Sequence, residues 1–289
     1  MPRLRKLKIK NCEKLSSWPS GLEYCTSLQE LHIQNCQNLR HLPVDALQNP
    51  VSLEKLYCTN LEAIPSLDNL TSLRELSIPR ALQSCTSLNS LTISECHHLI
   101  SLADVDVSRL QSLSSLYIYN CRKLKYLPTG LRSLTSLKWM GIGKFWEELD
   151  SFPAFELPSQ IQVLGISGWP KLKSLPQEIQ HLTTCLEIMI IDSFDSMEAL
   201  PEWLGNLSSL IRLNIWGCKN LMYLPTVEVM QCLTKLETLE ISGCPRLAER
   251  CAKESGPEWH KISHIRDVFV YELETSSDDS ESLNYSSFS

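Results

Sequence analysis

Glycine is scarce, at 10 of 289 residues, which argues against a fold built on phosphate-cradling loops. No G-x-x-x-x-G-K-[ST] is present, since Gly143-Lys144 runs into Phe145 and lacks the preceding loop. Nor is there a G-x-S-x-G, an H-E-x-x-H or a kinase signature, so neither a catalytic site nor a cofactor is expected. The chain has twelve cysteines but no C-x-x-C pair and no Cys/His set at finger spacing. Metal sites and a disulfide framework are therefore not expected. No apolar run reaches the roughly 18–20 residues of a membrane span. The start, MPRLRKLKIKN, lacks the apolar stretch of a secretory signal. With the cysteine pattern, that predicts reduced thiols and a cytoplasmic location, with the nucleus as the alternative.

An excess of charge of one sign is missing from the body as a whole. Residues 267–289 hold six acids and no Lys or Arg, which accounts for the net charge of −6. Residues 1–266 balance at 27 of each sign, so the surface is not that of a nucleic-acid binder. Residues 1–14 carry six bases against Glu13, a run best read as a solvated strand face. Hydrophobic residues make up 43% of the chain, enough to bury a core.

What the chain has in excess is leucine, 49 residues of it, and the leucines recur in a pattern. LQELHIQNCQNLRHLP from Leu28, LSSLYIYNCRKLKYLP from Leu113 and LIRLNIWGCKNLMYLP from Leu210 share one template, L-x-x-L-x-I-x-x-C-x-x-L-x-x-L-P. Eleven copies begin at Leu4, Leu28, Leu53, Leu73, Leu88, Leu113, Leu137, Ile161, Leu186, Leu210 and Leu236. A period near 24 residues falls in the leucine-rich-repeat range. Within each copy, L-x-I has period 2 and predicts a short strand with Leu and Ile inward. Proline closes an irregular outer arc, where its missing N–H costs little. One repeat cannot bury its leucines alone, but stacked neighbours can. The expected fold is an α/β solenoid, a leucine-rich-repeat horseshoe. It has a parallel concave sheet of about eleven short strands and an irregular convex side with few short helices. Eleven strands would give an inner arc of roughly 50 Å. The copies over 53–87 are irregular, read either as a kinked short coil or as a deletion.

Cys12, Cys36, Cys96, Cys121, Cys218 and Cys244 fall in one slot of successive copies. Phe145, Trp169 and Phe194 fill it elsewhere, which marks a packing position rather than a ligand set. His97-His98, beside Cys96, reads as a surface turn.

Strand parity also names the outward residues. In the sixth and seventh copies these are Ser115, Tyr117, Tyr119, Trp139, Gly141 and Gly143. In the eighth to tenth they are Val163, Gly165, Ser167, Ile188, Ile190, Asp192, Arg212, Asn214 and Trp216. Large rings are thus expected on both sides of a Gly and Ser floor. The expected partner-binding set is Tyr117, Tyr119, Trp139, Gly141, Gly165, Ile188, Ile190, Arg212, Asn214 and Trp216. Trp, Tyr and Arg dominate interface hot spots. The alternative is that the glycines relax the sheet and the rings stack on each other.

The I-x-x-C-x-x-L-x-x-L-P form, with TSL or SSL leading into the next strand, resembles the repeats of plant intracellular immune receptors. These are the coiled-coil, nucleotide-binding, leucine-rich-repeat disease-resistance proteins. ISGCPRLAERCAKESGPEWHKISHI, residues 241–265, is similar to their closing segment, through Cys251, Gly256, Trp259, Ile262, His264 and Ile265. The family places Pro after that last Ile, whereas this chain has Arg266. The repeats give a solenoid over 1–247 and the resemblance a closing segment over 248–268, while composition predicts an acidic, Ser-rich, disordered tail over 269–289. The resemblance also implies a protein partner: a pathogen effector, a host guardee or the receptor's own signalling domain, which the repeats restrain. Self-association through an uncapped N-terminal end is a further expectation. The alternative is a stand-alone leucine-rich-repeat adaptor, such as the substrate-recognition protein of a ubiquitin ligase.

Overall fold

The computed structural model describes residues 3–18, 21, 24–34, 36, 38–39, 52–53, 55–58, 75–77, 89–94, 101–103 and 106–271. The expected irregularity over 53–87 falls largely outside these residues. So do Cys96, His97-His98 and the tail beyond 271. The chain forms two compact units, Met1–Gln162 and Val163–Ser289.

Unit one carries β1 (Lys6–Lys10), β2 (Glu30–Gln34), β3 (Lys55–Cys58), β4 (Glu75–Ser77), β5 (Ser90–Ser94), β6 (Ser115–Tyr119) and β7 (Trp139–Gly143). They pair parallel in chain order, with Leu against Leu from β1 to β6 and Leu116 against Met140. Unit two carries β8 (Val163–Ser167), β9 (Ile188–Asp192), β10 (Arg212–Trp216), β11 (Thr238–Ser242) and β12 (Asp267–Tyr271), also parallel and in order. Three short helices, α1 (Val227–Cys232), α2 (Pro245–Arg250) and α3 (Trp259–Ile262), belong to unit two. Each unit is a leucine-rich-repeat solenoid.

The inward pattern matches the template. Leu31, Leu91, Leu116, Leu164, Leu213 and Leu239 are all at most 1% exposed. So are Ile118, Ile166, Ile191, Ile215 and Ile241. In β1 the equivalent Leu7 and Ile9 are only half-buried.

The Cys slot has a geometric explanation. After each of six strands one residue takes the left-handed conformation: Asn11, Asn120, Lys144, Ser193, Gly217 and Gly243, with φ between 51° and 64°. This turns the chain out of the strand and places the next residue, the slot, beneath the sheet. Asn and Gly tolerate that conformation at low cost, which is why they precede the slot so often. The turning N–H also extends the ladder, as from Asn11 to the Gln34 carbonyl at 2.9 Å and from Gly217 to the Ser242 carbonyl at 2.9 Å. The slot thiol then points at two carbonyls. Cys121 Sγ lies 3.7 Å from the Ile93 oxygen of the previous coil and 3.5 Å from the Tyr119 oxygen of its own. Cys244 repeats this at 3.6 Å to Ile215 and 3.4 Å to Ser242. A small apolar group with a weak S–H donor fits such a place. Two residues on, Asn38 and Asn220 each donate to a carbonyl one coil back, at 2.6 and 2.7 Å.

Among the described residues there are twelve strands where the repeat count gives about eleven. The additional one is β12, which contains the first three residues of the expected tail. Its sequence, DVFVY, keeps period 2 but uses Val where the template has Leu and Ile, so the template passes over it.

Ahead of β12, Ile262 and Ile265 are buried and Trp259 is half-buried. The buried anchor is Glu258, 4% exposed. Its carboxylate accepts the Leu224 N–H at 2.9 Å and pairs with Lys261 at 2.8 Å and Arg250 at 3.5 Å. The Lys261 ammonium also donates to the Leu224 carbonyl at 3.1 Å. Burial pushes this carboxyl's pKa up, but Lys261, the Leu224 N–H and Arg250 outweigh it and hold the pKa below the usual glutamate value.

Candidate functional site

The expected outward residues fall on both units, and each face has its own character. On unit one, Tyr117 faces Gly141 and Tyr119 faces Gly143 across the β6–β7 register. Tyr117, Tyr119 and Trp139 are half-buried, while both glycines are buried. A Cβ placed on Gly141 would lie 2.8 Å from Cδ1 of Tyr117. The tyrosine ring therefore lies over the glycine. At Gly141 the expected Gly floor is not open, because the Tyr117 ring covers it. Burial, then the neighbouring Tyr119, raises the Tyr117 phenol pKa, so it stays a neutral donor and acceptor.

The opposite end of unit one is basic. Lys6, Lys8 and Lys10 are exposed along β1, and Lys6 pairs with Glu30 of β2. His32 stacks on Tyr57 with centroids 4.5 Å apart. Burial lowers the His32 pKa, and Lys8 and Lys6 add to this against the opposing effect of Glu30.

On unit two, the central outward residues are buried. Ile190 and Asn214 are 1% exposed, Ser167 is 4% and Asp192 is 5%. Gly165 is also buried, Ile188 and Trp216 are half-buried, and Arg212 is exposed. In register, Asn214 lies between Ile190 and Glu240, and Trp216 between Asp192 and Ser242. The Trp216 indole N–H donates to Glu240 at 3.2 Å, and Ser193 Oγ donates to Asp192 at 2.9 Å. Sequence parity named Asp192 as outward but did not place it in the binding set, and Glu240 lies one repeat beyond that set. Among the described residues, no group of three or more His, Cys, Asp or Glu is arranged to hold a metal ion. No helix among them is long and apolar enough to cross a membrane.

A family model for the leucine-rich repeats of RPS2-like plant disease resistance proteins matches residues 18–145. Disease resistance protein RPP4 of Arabidopsis thaliana is 28% identical over 271 residues, which is 93% of this chain and 21% of that protein. The leucine-rich repeats of this chain are similar to those of plant disease resistance proteins. The putative disease resistance protein RGA4 of Solanum bulbocastanum is 41% identical to this repeat region over 54 residues, 19% of the chain and 5% of that protein. The repeat region thus spans about a fifth or less of each of these relatives. Among solved structures, the leucine-rich-repeat domain of the type III effector XopL aligns over 94% of this chain and 78% of its own, at 19% identity and a TM-score of 0.48. An internalin from Listeria monocytogenes aligns over 82% and 87%, at 18% identity and a TM-score of 0.34. The repeats and their likeness to those of disease resistance proteins indicate a protein-interaction role.

Proposed function

We propose that this repeat region recognises a pathogen effector or a host protein through the outward faces of its strands. In the whole receptor it restrains a signalling module, and it acts in the cytoplasm. The observation that carries the reading is the composition of those faces. The inward positions repeat Leu and Ile almost without change. The outward ones hold Tyr117, Tyr119 and Trp139 on one unit and Arg212, Asn214 and Trp216 on the other. Aromatic and Arg side chains held on a rigid strand lose little entropy on binding, which is why they anchor interfaces. The test is the paired substitution Tyr117→Ala with Trp216→Ala. Both residues lie outside the Leu/Ile core, so the melting temperature should hold while recognition of the cognate trigger is lost. Unchanged recognition by a folded variant would rule these faces out.

A further inference from the structure

We infer that β9–β11 form a receptor for one cationic side chain of the partner, an arginine guanidinium, built from Asp192, Asn214, Trp216 and Glu240. The inference rests on the reading that the outward face of unit two meets a protein. Three observations carry it. First, Asn214 is 1% exposed, and its side-chain carbonyl has no hydrogen-bond partner among the described residues. A buried acceptor left unmatched carries the desolvation cost of a bond not made, and native chains keep few such groups without a use. Second, the neighbours on the same face supply more acceptors and negative charge. Asp192 sits one strand back beside Trp216, and Glu240 one strand on beside Asn214. Third, the Trp216 indole reaches from β10 to Glu240 on β11, so an aromatic ring spans the row next to the amide. Two carboxylates and a bare amide carbonyl, beside an indole, together call for a flat cation rich in N–H donors. The guanidinium is the side chain with that shape: five donors in one plane, able to lie on an aromatic face and bond carboxylates at its edge.

The test uses the full isotope-labelled chain and N-acetyl-arginine amide as the probe. The indole N–H resonance of Trp216 is assigned by its loss in Trp216→Phe. A saturable shift is expected, with a Kd on the order of 1–10 mM for so small a probe. N-acetyl-glutamine amide, which has no charge, should leave the resonance in place. Glu240→Gln keeps an acceptor for the indole but removes one charge, and Asp192→Asn removes the other. Each should weaken the probe by about threefold or more. The absence of a saturable shift would overturn the inference, as would equal shifts from the glutamine probe or unchanged affinity in both charge variants. Equal affinity for N-acetyl-lysine amide would overturn the assignment to a guanidinium. The wider reading fails by a different result, retained recognition in the Tyr117→Ala, Trp216→Ala chain, so the two failures are separable.

Discussion

Along β1 the outward residues are Lys6, Lys8 and Lys10, all exposed, over an inward pair, Leu7 and Ile9, that is only half-buried. In β9 and β10 the central outward residues Ile190 and Asn214 are nearly as buried as the inward Met189, Ile191, Leu213 and Ile215. The described outward charges differ in sign as well. β1 and β2 carry three lysines against Glu30, and β9–β12 carry Asp192, Glu240 and Asp267 against Arg212. One template thus supports two unlike faces. The inward Leu and Ile are constrained because each must fill the space left by the next coil, at close-packed density. The outward positions meet no such demand, so their chemistry is free to serve a partner.

The largest effect should come from the anchor that unit two has and β1 lacks. Glu258→Ala leaves Arg250 and Lys261 without their buried carboxylate and the Leu224 N–H without its acceptor. A loss of about 3–5 kcal/mol is expected, read by chemical denaturation. Hydrogen exchange should quicken in β10–β12, with β2 as an internal reference. The same contacts make unit two acid-sensitive. The Glu258 pKa is lower in the folded chain than unfolded. The stability it contributes is therefore present above the ordinary glutamate value, about 4.3, and is lost as pH falls through the folded value. Denaturation midpoints measured down the acid range should fall for the wild-type chain. They should fall less steeply for Glu258→Gln.

Next comes the core. Leu213 is fully buried and Leu7 is not. Leu213→Ala should cost about 2–5 kcal/mol and Leu7→Ala distinctly less, because a partly exposed side chain leaves a smaller cavity and less area to forfeit. Equal costs would mean that β1 is packed as the inner strands are.

A smaller effect separates face from fold. Gly141→Ala places a methyl group against Cδ1 of Tyr117. The ring is half-exposed and can swing outward, so the stability change should stay within about 1 kcal/mol. The Tyr117 ring resonances should nonetheless move markedly. If the fold instead loses several kcal/mol, the tyrosine is part of the core rather than of the face.

The inward residues and the slot were legible in the sequence because period 2 and a fixed offset leave little choice of direction. Three features were not. Glu258 sits in polar text, SGPEWHK, and only the fold shows that Leu224, Lys261 and Arg250 converge on it. Tyr117 covers Gly141 because a ring leans along the sheet toward the neighbour that lacks a side chain, and one strand read alone does not show that. The burial of Asp192 and Asn214 depends in the same way on side chains from adjacent strands. β12 was missed because it keeps the alternation without the leucines.

The smallest effect concerns the slot thiols, and it isolates burial from chemistry. Cys12 occupies the same template position as Cys36, Cys121, Cys218 and Cys244, but it is exposed whereas they are buried. Its Sγ contacts the Lys10 carbonyl of its own coil at 3.3 Å. Cys36 reaches the carbonyls of two coils, Ile9 at 3.9 Å and Gln34 at 3.5 Å. Burial raises the Cys36 thiol pKa, and burial, then the Glu258 charge, raises that of Cys251 to about 12. The thiolate is the reactive form, so these groups should be inert near neutral pH for two reasons, access and protonation. Brief alkylation of the native chain with iodoacetamide, resolved by peptide mass spectrometry, should label Cys12 and the exposed Cys232 first. Cys36, Cys121, Cys218, Cys244 and Cys251 should follow only on unfolding. If Cys36 labels as fast as Cys12, the first two coils open together on the time scale of the reaction. The half-burial of Leu7 and Ile9 would then mark a loosely held strand rather than a fixed one with a polar face.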